Sequence, residues 1–393
     1  MKNDAPPAAS AATPPPAAGT RTLLGGRGVA TFLRKCWHKE ALLVRAALPG
    51  FTGPFDAERL FALAARDDVE SRLVVREGSR WTFEQGPFSR ADRKALPTRN
   101  WTLLVQGVNL HAPEGDRLLR RFSFLPYARL DDLMVSYAAP GGGVGPHFDS
   151  YDVFLLQGFG RRRWRYGRQD DLALKPRLPV KILARFTPEH DATLEGGDML
   201  YLPPQYAHDG VAIDACTTYS IGFRAAATTE MATAFVDYLR DRLDLPGRYA
   251  DPDLAPTRTP ARIGAAMRRQ CAKSLGDIRW DEAMVARFLG CWLSEPKPSV
   301  FFDPPHPCLS RAAFAKAAAK HGVRLDLRTQ MLYDDGHLYV NGAAQAWPAT
   351  DAKALARLAD VRLLSPAEVA ALAAPTIALL HGWYSDGFVH AGR

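Results

Sequence analysis

Long apolar runs are missing from this sequence: no stretch approaches the roughly 18 consecutive apolar residues that a membrane helix needs, so no membrane partner is expected. Cysteine is scarce. Cys36, Cys216, Cys271, Cys291 and Cys308 are odd in number and never spaced Cys-x-x-Cys. That disfavours both a disulfide framework and a cysteine-ligated zinc, and it suits a reducing compartment, so the expected location is the cytoplasm. No unbroken apolar core precedes a cleavage-like site near the start, which argues against a secretory leader. Internal repeats are absent as well. The charge balance, 50 Lys and Arg against 42 Asp and Glu, is basic but dispersed. A net charge of +8 permits an acidic partner such as nucleic acid or a ribonucleoprotein without demanding direct contact with one.

The chain does have enough apolar material for real cores: 47% of its 393 residues are hydrophobic, and this length predicts two or three domains. Residues 1–20 are mostly Ala, Pro, Gly and Ser, and read as a disordered tail. A short helix and an extended piece are expected over 28–50, then a helix capped by Asp56. Between about 70 and 224 the texture changes to short β-branched and aromatic segments punctuated by Gly, Pro, Asn and Asp, among them LVVRE, WTLLVQGV, DVFLLQG, RRRWRYG, KILARF and DMLYLP. This is the pattern of a β-sandwich or barrel, and residues 21–225 are assigned to it. Over 226–298 the period becomes helical. Met231, Phe235, Leu239 and Leu243 form one face, Ile263, Met267 and Cys271 another, and Met284, Phe288 and Trp292 a third. Such faces serve either dimerisation or packing on the barrel. After a proline-rich break, residues 299–393 combine helices with a hairpin turning at Asp335-Gly336, an order that fits a small winged-helix-like domain.

The chemistry concentrates in GGGVGPHFDSYDVFLLQGFGRRRW, residues 141–164. His147 and Asp149 are two apart, so on a strand both side chains leave the same face. An imidazole and a carboxylate converging there supply two ligands of a facial triad, which suits Fe(II) because it leaves positions for cosubstrate and oxygen. In EGGDMLYLPPQYAH a Gly-Gly-Asp turn opens a strand Asp198–Leu202, two prolines end it, and His208 is expected at its exit as the third ligand. His-x-Asp alone is a weak signal; the glycine-rich turn before it and the third His after it make it specific.

Alternation along Arg161–Tyr166 groups Arg162 with Trp164 and Tyr166, and leaves Arg161, Arg163 and Arg165 on the solvated face. A buried guanidinium must be paired. A cosubstrate carboxylate is its best match, and an internal Asp or Glu the alternative. Ser136, on the strand Asp132–Tyr137, is placed to add a hydroxyl to the same carboxylate. Tyr137, Ser150 and Tyr151 are the candidate substrate-pocket residues.

With these segments in view, DDLMVSY, PGGGVGPHFDSYDVFLLQGFGRRRWR, GDMLYLPP, AHDG and YSIGFRA resemble the core of JmjC-type, cupin-fold oxygenases, specifically the bacterial ribosomal-oxygenase group. The resemblance implies a double-stranded β-helix barrel, a helical dimerisation region and a C-terminal winged helix. It also implies Fe(II) on His147, Asp149 and His208, 2-oxoglutarate on Arg162 with help from Ser136, and O2 as oxidant. The implied substrate is an arginine of a large-subunit ribosomal protein, and the implied assembly a homodimer. Two features depart from the group's pattern: the Ala/Pro tail, and Ser150, where a larger polar residue is expected. The rival readings are a cupin enzyme acting on another protein residue or a small molecule, and a non-catalytic ribosome- or nucleic-acid-binding dimer. A binding module has no use for a complete triad.

Overall fold

The computed structural model describes residues 19–391. Most of the expected tail over 1–20 therefore lies outside the described residues, while Thr20 already begins a short helix, Thr20–Leu23. The chain divides into two compact units, one running to Ala225 and including Pro298–Phe301, the other formed by Ala226–Lys297 and the chain from Phe302 onward.

The first unit holds eleven strands; short helices lie among the first four and before the fifth, and the last seven strands follow one another without a helix. The strands are β1 (Leu42–Val44), β2 (Ser71–Glu77), β3 (Arg80–Gln85), β4 (Trp101–Val105), β5 (Leu130–Ala138), β6 (Val153–Gln157), β7 (Arg162–Arg168), β8 (His190–Leu194), β9 (Met199–Leu202), β10 (Tyr206–Ala212) and β11 (Cys216–Phe223). Eight form one antiparallel sheet in the order β1-β9-β6-β11-β5-β4-β2-β3, and three form a second, β10-β7-β8. The helix Ala57–Ala64 starts where Asp56 accepts a hydrogen bond from the Arg59 N–H, as its sequence predicts.

Strand alternation decides which side chains meet. Leu133, Val135, Phe154, Leu156, Tyr219 and Ile221 leave one face of the large sheet and pack against Phe32, Leu60 and Phe122 from the helical layer. Val153, Leu155, Leu200 and Leu202 leave the other face and meet Trp164, Tyr166, Leu194 and Tyr206 of the small sheet. Each fully buried leucine there contributes about 2 kcal/mol. The two sheets thus enclose a common interior, the double-stranded β-helix of the cupin fold. Across its large-sheet wall, register aligns Arg72, Leu104, Ser136, Thr218 and Gln157 in one row. KILARF does not form the expected strand: its only ladder contact is an isolated bridge between Leu174 and Leu183.

In the second unit, helices Thr228–Arg240 and Glu282–Ser294 meet through Phe288, whose ring lies 5.1 Å from Phe235 and 5.5 Å from Tyr238. Leu243 and Ile263, expected on helical faces, lie outside the helices. Pro246 disfavours helical backbone just before it, and the next helix, Ala265–Leu275, starts only after Gly264. The remainder is a winged helix: helix Arg311–His321, helix Ala352–Val361, and the hairpin strands Met331–Tyr333 and His337–Val340. The Asp334 carboxylate closes that hairpin turn by accepting from the Gly336 and His337 N–H groups. Gly290 brings the helix Glu282–Ser294 onto this hairpin; a Cβ there would lie 2.2 Å from the Tyr339 ring.

Candidate metal centre

His147, Asp149 and His208 converge, each offering one ligand atom, all within 4.8 Å of one another. Their backbone explains how. His147 and His208 form an antiparallel bridge, His147 N–H donating to the His208 carbonyl at 2.9 Å and His208 N–H to the His147 carbonyl at 2.8 Å. The Asp149 carbonyl accepts from Gln205 N–H at 2.9 Å. The segment around His147 is extended but makes only this bridge rather than a full strand, because glycines and the donor-less Pro146 precede it. His208 is not at the exit of β9, as expected. It stands inside β10 opposite Tyr166, because the Pro203–Gln205 turn sends the chain straight back into the small sheet.

Both imidazoles are oriented from behind. His147 Nδ1 lies 2.8 Å from the Gly145 carbonyl and His208 Nδ1 lies 3.0 Å from the Tyr206 carbonyl. A carbonyl only accepts, so each Nδ1 carries the proton and each Nε2 keeps its lone pair for a cation. Burial pushes the His208 pKa well below the usual imidazole range; His147 adds to this effect and Asp149 opposes it. A neutral imidazole is the form that binds metal. Trp164 lies 5.8 Å from the His208 ring between centroids, and Gly210 opposite it is required, since a Cβ would come within 2.6 Å of the indole. Two imidazoles oriented through Nδ1, with Nε2 left for a cation, and one carboxylate fit a divalent iron.

Arg162 is 5% exposed, and its Nε and Nη2 atoms are buried with no hydrogen-bond partner. An uncompensated buried guanidinium is costly, so these idle donors fit a carboxylate ligand. Its three neighbours behave differently. Arg161 pairs with Asp214, Arg163 with Asp191 and Arg165 with Asp209, so the outward-facing arginines are ion-paired rather than merely solvated.

Ser136 is buried on the interior face of β5, its hydroxyl 3.5 Å from the Thr218 carbonyl. Ser150 is exposed beside Asp149. Tyr151 is 38% exposed. Burial of its hydroxyl raises that group's pKa, and the hydrogen-bonded Asp149 carboxylate raises it further. Tyr137 does not belong to the pocket. One residue from Ser136 on β5, it points to the opposite face, where its ring packs 5.5 Å from Trp101 and 6.0 Å from Phe159. Sequence reasoning missed Asp132, which shares the face of Met134 and Ser136. It is 2% exposed, accepts from Gln106 Nε2 at 2.8 Å, and its charge reaches Tyr151. Gln106 in turn accepts from Arg72 at 2.7 Å.

A two-sheet β-helix with a convergent His/Asp/His set and an idle inward arginine defines a JmjC-type oxygenase, dependent on a metal ion and 2-oxoglutarate. Residues 117–231 match the family described as JmjC domain, and residues 277–390 the family described as ROXA-like winged helix. The chain is 38% identical over 281 residues to the ribosomal protein uL16 3-hydroxylase of Escherichia coli, covering 70% of this chain and 74% of that protein. A probable ribosomal oxygenase of Haemophilus influenzae is 41% identical over 197 residues, 49% of this chain and 48% of that one. The structure of YcfD, a ribosomal oxygenase from Escherichia coli, in complex with cobalt and 2-oxoglutarate superposes with a TM-score of 0.80 at 32% identity, covering 93% of this chain and 98% of that chain. The chain belongs to the ribosomal oxygenase family.

Proposed function

We propose that this enzyme hydroxylates an arginine side chain of a large-subunit ribosomal protein, holding Fe(II) on His147, Asp149 and His208 and 2-oxoglutarate on Arg162. The observation that carries the reading is the pairing of a preset triad with a buried guanidinium whose Nε and Nη2 lack partners. Iron, 2-oxoglutarate and O2 together supply the replacement of a C–H by a C–OH bond, with succinate and CO2 as by-products. The chain's own residues do the rest. His147 and His208 present their Nε2 atoms to the ion, and Asp149 supplies the negative charge. Arg162 aligns two N–H groups with a distal carboxylate, the strongest pairing available to that group. Ser136 adds a hydroxyl on the facing wall. The apolar interior around Leu155, Leu200 and Trp164 excludes water from the reacting centre.

An arginine substrate is supported by Asp132, a carboxylate on the interior face whose charge acts at Tyr151. Tyr151 beside it offers an aromatic face for the aliphatic stem, and Ser150 leaves the approach uncrowded. A ribosomal target is supported by the likeness to the E. coli uL16 hydroxylase. The test is mass spectrometry of ribosomal proteins from cells with and without the gene. One arginine of a large-subunit protein should be a single oxygen atom heavier in the wild type only; identical spectra would remove the ribosomal reading.

A homodimer in the cytoplasm completes the proposal. Val236, Leu275 and Trp280 are exposed by 62%, 65% and 56%, apolar surface that a second copy of the chain would cover. Among the described residues no helix is long and apolar enough to cross a membrane.

A further inference from the structure

A cavity lies on the outer face of β7 and β10, away from the barrel interior. Its volume is about 660 Å³, within the range of small-ligand sites. Its walls come from three places: Arg76 and Trp81 of the β2–β3 hairpin, Gly141 to Pro146, and Lys175 to Ile182. Arg165, Asp209 and Val211 form the floor. They alternate along β7 and β10 with Trp164, His208 and Gly210, so they face away from the barrel interior. None of the triad residues lines the cavity, yet Pro146 and Asp209 are chain neighbours of His147 and His208.

Charge and shape narrow what fits. Arg165 is neutralised by Asp209, leaving Arg76 and Lys175, which make no ion pair among the described residues. The surplus extends beyond the cavity: residues 1–225 hold 30 Lys and Arg against 24 Asp and Glu, six of the chain's eight excess positive charges. Arg76 and Trp81 are cross-strand partners, with the guanidinium 5.6 Å from the indole centroid. Pro146, Leu178, Ile182 and Val211 make the remaining surface apolar. A Cβ on Gly145 would stand 2.8 Å from Ile182 and 3.4 Å from Trp81, so the indole rests against the backbone two residues before His147.

Two unpaired cations beside an aromatic face are the elements that hold a single-stranded nucleotide, phosphate on the charges and base on the ring. An acidic peptide would use the cations alone and draw nothing from the aromatic surface beside them. We propose that this cavity binds a nucleotide of single-stranded RNA, its phosphate between Arg76 and Lys175 and its base against Trp81. The inference does not rest on the ribosomal-protein reading, because the cavity lies outside the interior where oxidation takes place.

The experiment is fluorescence anisotropy of a short, end-labelled single-stranded RNA titrated with the full-length protein. Adenosine monophosphate and an acidic peptide serve as competitors, and circular dichroism checks each variant's fold. Saturable binding that weakens with added salt is expected. It should fall about tenfold in the Arg76→Ala/Lys175→Ala double variant, and by a similar factor in Trp81→Leu. Uncoupled 2-oxoglutarate turnover should stay at the wild-type rate in the charge variant, which is altered at half-exposed and exposed positions. Competition by adenosine monophosphate at concentrations like those of RNA would mean that a free nucleotide fills the same site. No saturable binding, binding unchanged in the folded charge variant, or displacement by the acidic peptide but not by the nucleotide would overturn the proposal.

Discussion

Arg162 shows how far a single residue can be argued from its neighbours. Alternation over Arg161–Tyr166 put it with Trp164 and Tyr166, and it is buried with them while Arg161, Arg163 and Arg165 carry acidic partners. What alternation could not reveal was that no acid among the described residues pairs with it; that depends on strands distant in the chain. The same rule, applied to β5, would have separated Tyr137 from Ser136 and grouped Asp132 with it. Proximity along a strand says nothing of face. Two charge-assisted hydrogen bonds are worth roughly 3 kcal/mol together, so Arg162→Ala should raise the 2-oxoglutarate concentration for half-maximal turnover about a hundredfold. Arg162→Lys, which keeps the charge but loses the fork, should raise it about tenfold. Steady-state succinate formation measures both, and an unchanged dependence in the alanine variant would end the anchor role.

Elements were legible where they carry contrast. The helix at Asp56 announced itself by its cap, and the hairpin at Asp335-Gly336 by its turn. The helix Ala374–Ser385 did not: APTIALLHGWYS is apolar nearly all round and shows no stripe to count. The start of β10 was hidden by Pro203 and Pro204, which read as a terminator and here form the turn that delivers His208. A second junction, after the strand Val323–Leu325, is held by one carboxylate. Asp326 accepts from Arg328 Nε at 2.8 Å and lies 2.8 Å from His390 Nε2 on the strand Val389–Ala391. Burial alone would raise its pKa, but the bonds from His390 and Arg328 hold it well below the usual carboxylate range. A depressed folded pKa means that the stabilisation is fully present above the unfolded value, near 3.9, and is lost as pH falls through the folded one. Asp326→Asn should therefore cost about 2 kcal/mol near neutral pH, and the gap should narrow below about pH 4. Urea unfolding at several pH values checks this; a gap independent of pH would show that the carboxylate's charge is irrelevant.

For the whole molecule, the order of barrel, helices and winged helix was readable because each region has its own period. Which faces meet was not, since that is decided by contacts far apart in sequence. The apolar residues left exposed on the second unit should be covered by another copy of the chain. Sedimentation is expected at twice the chain mass, with Trp280→Asp shifting the population towards monomer; a wild-type monomer at working concentration would remove the dimer. The chemistry, however, stands on three side chains set around one ion, and metal stoichiometry reads that arrangement directly. After anaerobic loading with Fe(II) and desalting, the wild-type protein should retain one iron per chain, and the folded Asp149→Ala and His208→Ala variants should retain almost none. Iron held equally well by either variant would contradict the triad and, with it, the oxygenase site.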